Sequence, residues 1–279
     1  FMNIDFEKNR FLMFELDQIA NEYEDNGQEI IRMTLGKSEL PLHPEIIHTM
    51  QDAIGDISKS ALVFPAGLPE LRKELAVHYS KQYNVDIKQD NIIISVGTSS
   101  IFRNLFQLLL KEGDEVLLPL PYYSLYHFSA LLVGAKIKYY KINTNTLEID
   151  RDSFISQFSD KTRLVVINSP GNPLGNVLTQ EDLKFIDKTV NGQAYIVSDE
   201  IYDNMSFDMP HFSCVQLRNP ISSFILTNAF SKGYRMYSRR VGFCIVPNEL
   251  VAPLTVIQHH TLLTADPVSQ FGAISALKH

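Results

Sequence analysis

The sequence predicts an α/β fold with a mostly parallel central sheet. Short β-rich runs alternate with longer helical stretches from about residue 91 onward. Several of the short runs are almost continuously apolar, as strands are when both sheet faces are covered. Gly113-Asp114 and Asn191-Gly192 punctuate the alternation as turns. Strands are expected over 91–95, 115–118, 136–142, 163–168, 194–198, 224–228 and 242–246, making a sheet of about seven strands with helices on both faces. Helices are expected over 99–111, 124–132, 180–188 and 249–263, and another follows Asp266-Pro267. In sheets of this kind ligands bind at the carboxyl ends of strands, so functional residues should stand just after them.

The first 50 residues read differently. Residues 9–26 form an amphipathic helix candidate, and 30–35 is a short apolar run ending at Gly36. Pro41 and Pro44 break the pattern before a helix over 45–54, and Pro69 suits the first turn of a helix over 70–82. The expected division is an N-terminal arm or part of a small domain over 1–50, then a large domain over 51–279 that ends in an interdomain helix.

Lys plus Arg number 25 against 32 Asp plus Glu, a net charge of −7 in 279 residues. With 45% hydrophobic residues the chain is not disordered. Without a basic surplus it is not a general nucleic-acid binder. No apolar stretch of about 18 residues or more is present to cross a membrane. Residues 1–7 lack the basic-then-apolar order of a signal peptide. Cys214 and Cys244 are too few for a disulfide framework and fit a reducing compartment or a core. The eight histidines are scattered without ligand spacing, so no metal is expected. The expected location is the cytoplasm.

Five short segments could carry chemistry. Gly97-Thr98-Ser99-Ser100 follows a strand and opens a helix, where backbone N–H groups, hydroxyls and the positive helix end suit a phosphate; the plainer reading is a helix cap. Residues 168–175, Asn-Ser-Pro-Gly-Asn-Pro-Leu-Gly, hold two Asn side chains in a loop stiffened by two prolines, or are simply a strand-to-helix turn. Asp199, in Ser198-Asp199-Glu200-Ile201-Tyr202, ends a buried strand and needs a partner such as a protonated heterocyclic nitrogen, unless it caps a helix. Lys232, in Phe230-Ser231-Lys232-Gly233, could form a Schiff base if desolvation lowers its pKa, and Arg240 stands eight residues on, able to grip a phosphate. Aromatic residues from Tyr122 to Tyr126 could stack on a flat ring or belong to the core. Taken together, these describe a pocket for pyridoxal phosphate, a phosphorylated aromatic aldehyde.

On residues 168–175, Ser198 to Tyr202, and Ser231-Lys232 with Arg240, the sequence resembles the class I/II aminotransferases, pyridoxal-phosphate enzymes of fold type I. The match in order and spacing runs from about Ile31 to the end. The resemblance implies that Lys232 forms the Schiff base and then moves the substrate proton. It implies that Asp199 pairs with the pyridine N–H, that Asn172 and Tyr202 bond the ring oxygen, and that Tyr123 stacks on the ring. Thr98, Ser99, Ser231 and Arg240 would surround the phosphate, and Gly36 with Asn172 would meet the substrate. It also implies a homodimer acting on a small amino acid and a 2-oxo acid.

The sequence departs from the family pattern at three places. Ala229 stands where many relatives carry a serine that contacts the phosphate. The run from Leu62 to Gly67 lacks the Tyr that in relatives reaches the neighbouring subunit's phosphate. Relatives continue into a small domain that supplies the arginine for the substrate carboxylate, and no segment here matches it. The same cofactor residues serve elimination and cyclisation as well as amino transfer. A catalytically inactive domain of the same fold is the third reading.

Overall fold

The computed structural model describes Asp5, Arg10 and residues 12–36, 38 and 40–279. Apart from Asp5, the segment read for a signal peptide lies outside the described residues, as do Asn9 and Phe11 of the first helix candidate. In chain order the elements are α1 Leu12–Asp25, α2 Pro44–Gly55, α3 Ile57–Ser60, α4 Pro69–Tyr83, β1 Ile92–Val96, α5 Gly97–Leu109, β2 Glu115–Leu120 and α6 Ser124–Leu132. There follow β3 Lys136–Lys141, α7 Arg151–Gln157, β4 Thr162–Asn168, α8 Gln180–Val190, β5 Tyr195–Asp199, β6 Phe224–Ala229, β7 Val241–Ile245, α9 Asn248–Leu262 and α10 Pro267–Lys278.

The seven strands form one sheet in the order β1-β7-β6-β5-β4-β2-β3. All pairs are parallel except those of β7, which runs antiparallel to β1 and β6. The residues joining β6 to β7 contain no crossover helix, so the chain turns back instead of crossing over. The reversal matters for function. Val241, the first residue of β7, pairs with Val96, the last of β1. Arg240 is thereby delivered to the same sheet end as the carboxyl termini of the other strands.

Alternation along each strand divides the core in two. In β4, Val165 and Ile167 join one cluster with Leu71 and Leu75 of α4, Leu183 and Ile186 of α8, and Ala273 of α10. Leu164 and Val166 join the other with Ile101, Phe102, Leu105 and Phe106 of α5, Ala130 of α6 and Leu254 of α9. Each fully buried Leu, Ile or Phe contributes roughly 1.5–3 kcal/mol by leaving water. Helix ends carry their own signals. Thr179 and Asp182 form a capping box at α8, Asp266 caps α10, and Asn84 and Asn191 take left-handed C-cap positions after α4 and α8.

The apolar run 30–35 is not a strand. Ile31 and Met33 are 85% and 90% exposed. Arg32 instead binds Glu24 at 2.6 Å, with Asn21 and Asp17 also in reach, and ties the run to α1, which has no buried residue. The expected division at residue 50 falls inside α2, whose Ile46 joins the core of the sheet domain and whose Met50 packs at Gly272 of α10.

Gly242 shows how closely the layers meet. A Cβ there would lie 2.6 Å from the carbonyl carbon of Gly97 and 2.8 Å from the Thr98 nitrogen. Backbone cannot yield to it, so Gly242→Ala is expected to cost about 1–3 kcal/mol, or roughly 2–4 °C in Tm per kcal/mol at this chain size. Thermal unfolding of the variant measures it.

Candidate active site

The site forms where the strands end. After β1 the chain turns at Gly97 with φ of +71°, and a Cβ there would meet the Arg240 guanidinium at 2.5 Å. Only glycine permits both the turn and the close approach of the arginine. Arg240 is itself left-handed, and its Nη1 donates to the Tyr237 carbonyl at 3.0 Å. No side chain caps α5, so the Thr98 and Ser99 hydroxyls are not used as caps. A guanidinium, two hydroxyls and the positive end of a 13-residue helix thus converge, which is an anion site.

At the end of β4, Asn168 organises two neighbours at once. Its amide donates to the Asp199 carbonyl at 2.9 Å and the Pro170 carbonyl at 3.2 Å, and its oxygen accepts from the Asn172 backbone N–H at 2.6 Å. The 168–175 loop is therefore fastened to β5, with Asn172 facing the cavity. At the end of β5, Asp199 is 3% exposed. It accepts from the Tyr126 hydroxyl at 2.6 Å and the Ile201 N–H at 3.3 Å. Burial pushes its carboxyl up to about 6, against the pull of those two donors. A cation beside it would return it to the charged form. Burial also raises the Tyr202 hydroxyl, with Asp199 adding to the shift and Asn172 opposing it.

After β6 comes Lys232. Burial lowers its pKa, and the Arg240 charge lowers it further. Its Nζ donates to the Gly36 carbonyl at 2.6 Å and lies 5.7 Å from the Tyr202 ring and 5.3 Å from the Tyr237 ring. A Cβ on Gly36 would come within 3.1 Å of that nitrogen, so glycine leaves the amine its space. Tyr123, following β2, stands edge-on to Tyr126 at 5.7 Å between centroids, and its hydroxyl is raised by burial and by Asp199.

Thr98, Ser99, Tyr123, Asn172, Asp199, Tyr202, Ser231, Lys232, Arg240 and Gly36 all line one cavity of about 1100 Å³. The sequence reading omitted Tyr126 as the partner of Asp199, although its position three residues after Tyr123 on one helix face is a usable signal. It also omitted Tyr237 and His127, as well as Arg10 and Phe14, which line the same cavity, while Tyr122 belongs to the aromatic run it had singled out. The one cavity presents an anion site, a buried carboxylate and an amine of lowered pKa. That arrangement suits a flat cationic heterocycle carrying a phosphate and an electrophile.

Tyr126→Phe tests the carboxylate end. Hydrogen bonds to charged groups contribute about 1.5–3 kcal/mol, so the loss should push Asp199 further toward its neutral form. The expected result is a weakening of pyridoxal phosphate binding by about tenfold or more, measured by equilibrium titration. Thermal unfolding of the variant separates this from a loss of fold.

Comparison with known proteins gives a consistent picture. The family model described as aminotransferase class I and II matches residues 29–279. The chain is 32% identical over 257 residues to a probable aspartate aminotransferase of Methanocaldococcus jannaschii, covering 90% of this chain and 67% of that protein. It is 29% identical over 272 residues to the (5-formylfuran-3-yl)methyl phosphate transaminase of the same organism, covering 96% and 70%. Among solved structures, an alanine aminotransferase of Pyrococcus furiosus superposes with a TM-score of 0.88 at 25% identity, covering 96% of this chain and 70% of that one. The chain thus spans roughly two thirds of the length of such relatives.

Proposed function

Because the chain belongs to the class I and II aminotransferases, we propose that it binds pyridoxal phosphate and moves an amino group between an amino acid and a 2-oxo acid. The observation that carries this reading is Lys232, held at the end of β6 in one cavity with Asp199 and the Gly97–Arg240 anion site. The residues present fit the cofactor in kind: a glycine-built cradle that a Cβ would fill, a desolvated amine, and a buried carboxylate suited to a ring N–H, all on one cavity.

When bound, the cofactor supplies an aldehyde for covalent attachment of amines and a ring that withdraws electrons. Arg240, Thr98, Ser99 and Ser231 would hold its phosphate, and Tyr123 its ring face. Asn172 and Tyr202 would meet the ring oxygen. Asp199, ionised beside a cationic ring, would hold the ring nitrogen in its protonated form. Lys232 Nζ, its basicity tuned down by burial and by Arg240, would attach the cofactor and, once freed from it, would take and hold the proton from the substrate Cα. Gly36, beside that nitrogen, borders the place left for the substrate.

In this reading the residues before α2 are an arm, and those from α2 onward are the cofactor-binding domain leading into an interdomain helix. The functional unit is a homodimer, supported by the exposed Ile31 and Met33 on the arm. A cytoplasmic location accords with Cys214 and Cys244, which are buried free thiols. Among the described residues no helix is long and apolar enough to cross a membrane.

The test is a scan of amino donors with 2-oxoglutarate, oxaloacetate and pyruvate as acceptors. Transfer predicts new amino acid in proportion to acceptor consumed. Ammonia and 2-oxo acid accumulating without an acceptor would assign the chain to elimination chemistry instead.

A further inference from the structure

Behind the site, on the opposite side of β5, is a buried charge cluster that the proposed chemistry does not use. Neighbouring residues at an extended strand end point opposite ways. Asp199 faces the cavity, and Glu200 turns away from it, 1% exposed. Glu200 Oε1 accepts from the Ser198 hydroxyl and the Cys214 backbone N–H, each at 2.9 Å. Its Oε2 lies 3.0 Å from His211 Nε2, whose side chain is buried as well. Asp203 stands nearby, accepting from Asn228 at 3.0 Å. Tyr79 and Tyr83 of α4 also feel these carboxylates and bring no positive charge. No Lys or Arg among the described residues pairs with Glu200 or Asp203, so His211 is the one residue there that brings a positive charge, and only when protonated, its Nδ1 being buried without a hydrogen-bond partner.

We propose that His211 is a positioning residue for the cofactor cavity: paired with Glu200 behind β5, it balances that charge and so keeps Asp199, one residue away, available as a carboxylate to a cationic ring. The pair would act on Asp199 in two ways. It pins the strand end, so that Asp199 can point only into the cavity. It also offsets the repulsion that Glu200 exerts on Asp199. The electrostatics agree in direction. Burial disfavours the imidazolium, yet the hydrogen bond and charge of Glu200, with help from Asp203, raise His211 on balance. Asp203 is pushed up to about 6 by burial and by Glu200, with His211 opposing the rise.

The proposal rests on the reading of Asp199 as the ring partner, but its test does not need the cofactor. The Asp199 carboxyl is titrated by carbon-13 NMR in cofactor-free protein, with Asp199→Asn to assign the signal. In His211→Gln, which keeps a donor to Glu200 and removes the charge, the Asp199 midpoint should move up by about one pH unit. In the double variant Glu200→Gln, His211→Gln, which removes both charges of the pair, it should return close to the wild-type value. Pyridoxal phosphate affinity, measured by titration, should follow with its acid limb displaced the same way, about tenfold per unit. A midpoint that stays put in His211→Gln, with only a lower Tm, would make His211 a merely structural residue and overturn the proposal. Should that variant not fold, His211→Asn decides in its place, since an unmoved midpoint there also overturns the proposal. Wild-type protein that binds no pyridoxal phosphate while the midpoints move as stated would sink the functional reading and leave the charge coupling standing.

Discussion

Replacing Lys232 with alanine should abolish amino transfer while leaving the fold intact. General acid–base assistance alone contributes about 10²- to 10⁴-fold, and the covalent attachment of the cofactor is lost with it. The decrease should therefore be at least about 10⁴-fold. Stability should hold or rise, because the amine is partly desolvated in the folded chain. Its pKa is lowered by burial, so the folded state gives up free energy to keep it charged. Tm and rate should thus move independently. A small added amine should restore part of the activity, since proton transfer at Nζ can be supplied from solution. An alanine variant retaining a substantial fraction of wild-type turnover would remove Lys232 from the chemistry.

Asp199→Asn should show opposite effects on stability and on binding. Without a cationic partner, burial lifts the carboxyl from 3.8 to about 6. Such a group favours folding most below its unfolded pKa, and that contribution is lost as pH rises through the folded value. Above about pH 6 the charged carboxylate therefore costs the cofactor-free chain on the order of 3 kcal/mol. An asparagine of the same shape still accepts from Tyr126 and removes the charge. Cofactor-free Asp199→Asn should be more stable than wild type at neutral pH, and the difference should vanish by about pH 4. Pyridoxal phosphate affinity and turnover should fall, by about 10²-fold or more, because a charge-assisted bond to the ring N–H is lost. Urea unfolding across pH, paired with cofactor titration, separates the two. A variant less stable than wild type at neutral pH would contradict the assignment of Asp199 as a carboxylate held ready for a cation.

Much of this was legible in the sequence because burial writes itself into apolar runs. The expected strand at 163–168 is Thr162–Asn168, one residue longer at its start, and that at 194–198 is Tyr195–Asp199, shifted by a single residue. The helix at 124–132 agrees end to end with Ser124–Leu132. The cavity residues were legible for a related reason: a polar residue that ends a buried strand has few structural excuses. The short helix Arg151–Gln157 was not read, since seven residues give too little periodicity, although Asp150 accepting from the Ser153 N–H is a cap that marks it. Strand direction was not legible either, because alternation is the same whichever way β7 runs. That direction is what brings Arg240 over Gly97. Contacts between distant segments were also out of reach: Lys232 with the Gly36 carbonyl, Tyr126 with Asp199, and the burial of Glu200 with His211. Each depends on packing that the pattern of residue types leaves open.

The central claim is that Lys232 is the amine that carries pyridoxal phosphate. The direct measurement is to incubate the chain with the cofactor, reduce with borohydride, digest, and locate the added mass. The account predicts one reduced pyridoxyl group, on the peptide containing Lys232, and none on the Lys232→Ala protein. A label on other lysines with the Lys232 peptide unmodified would contradict it.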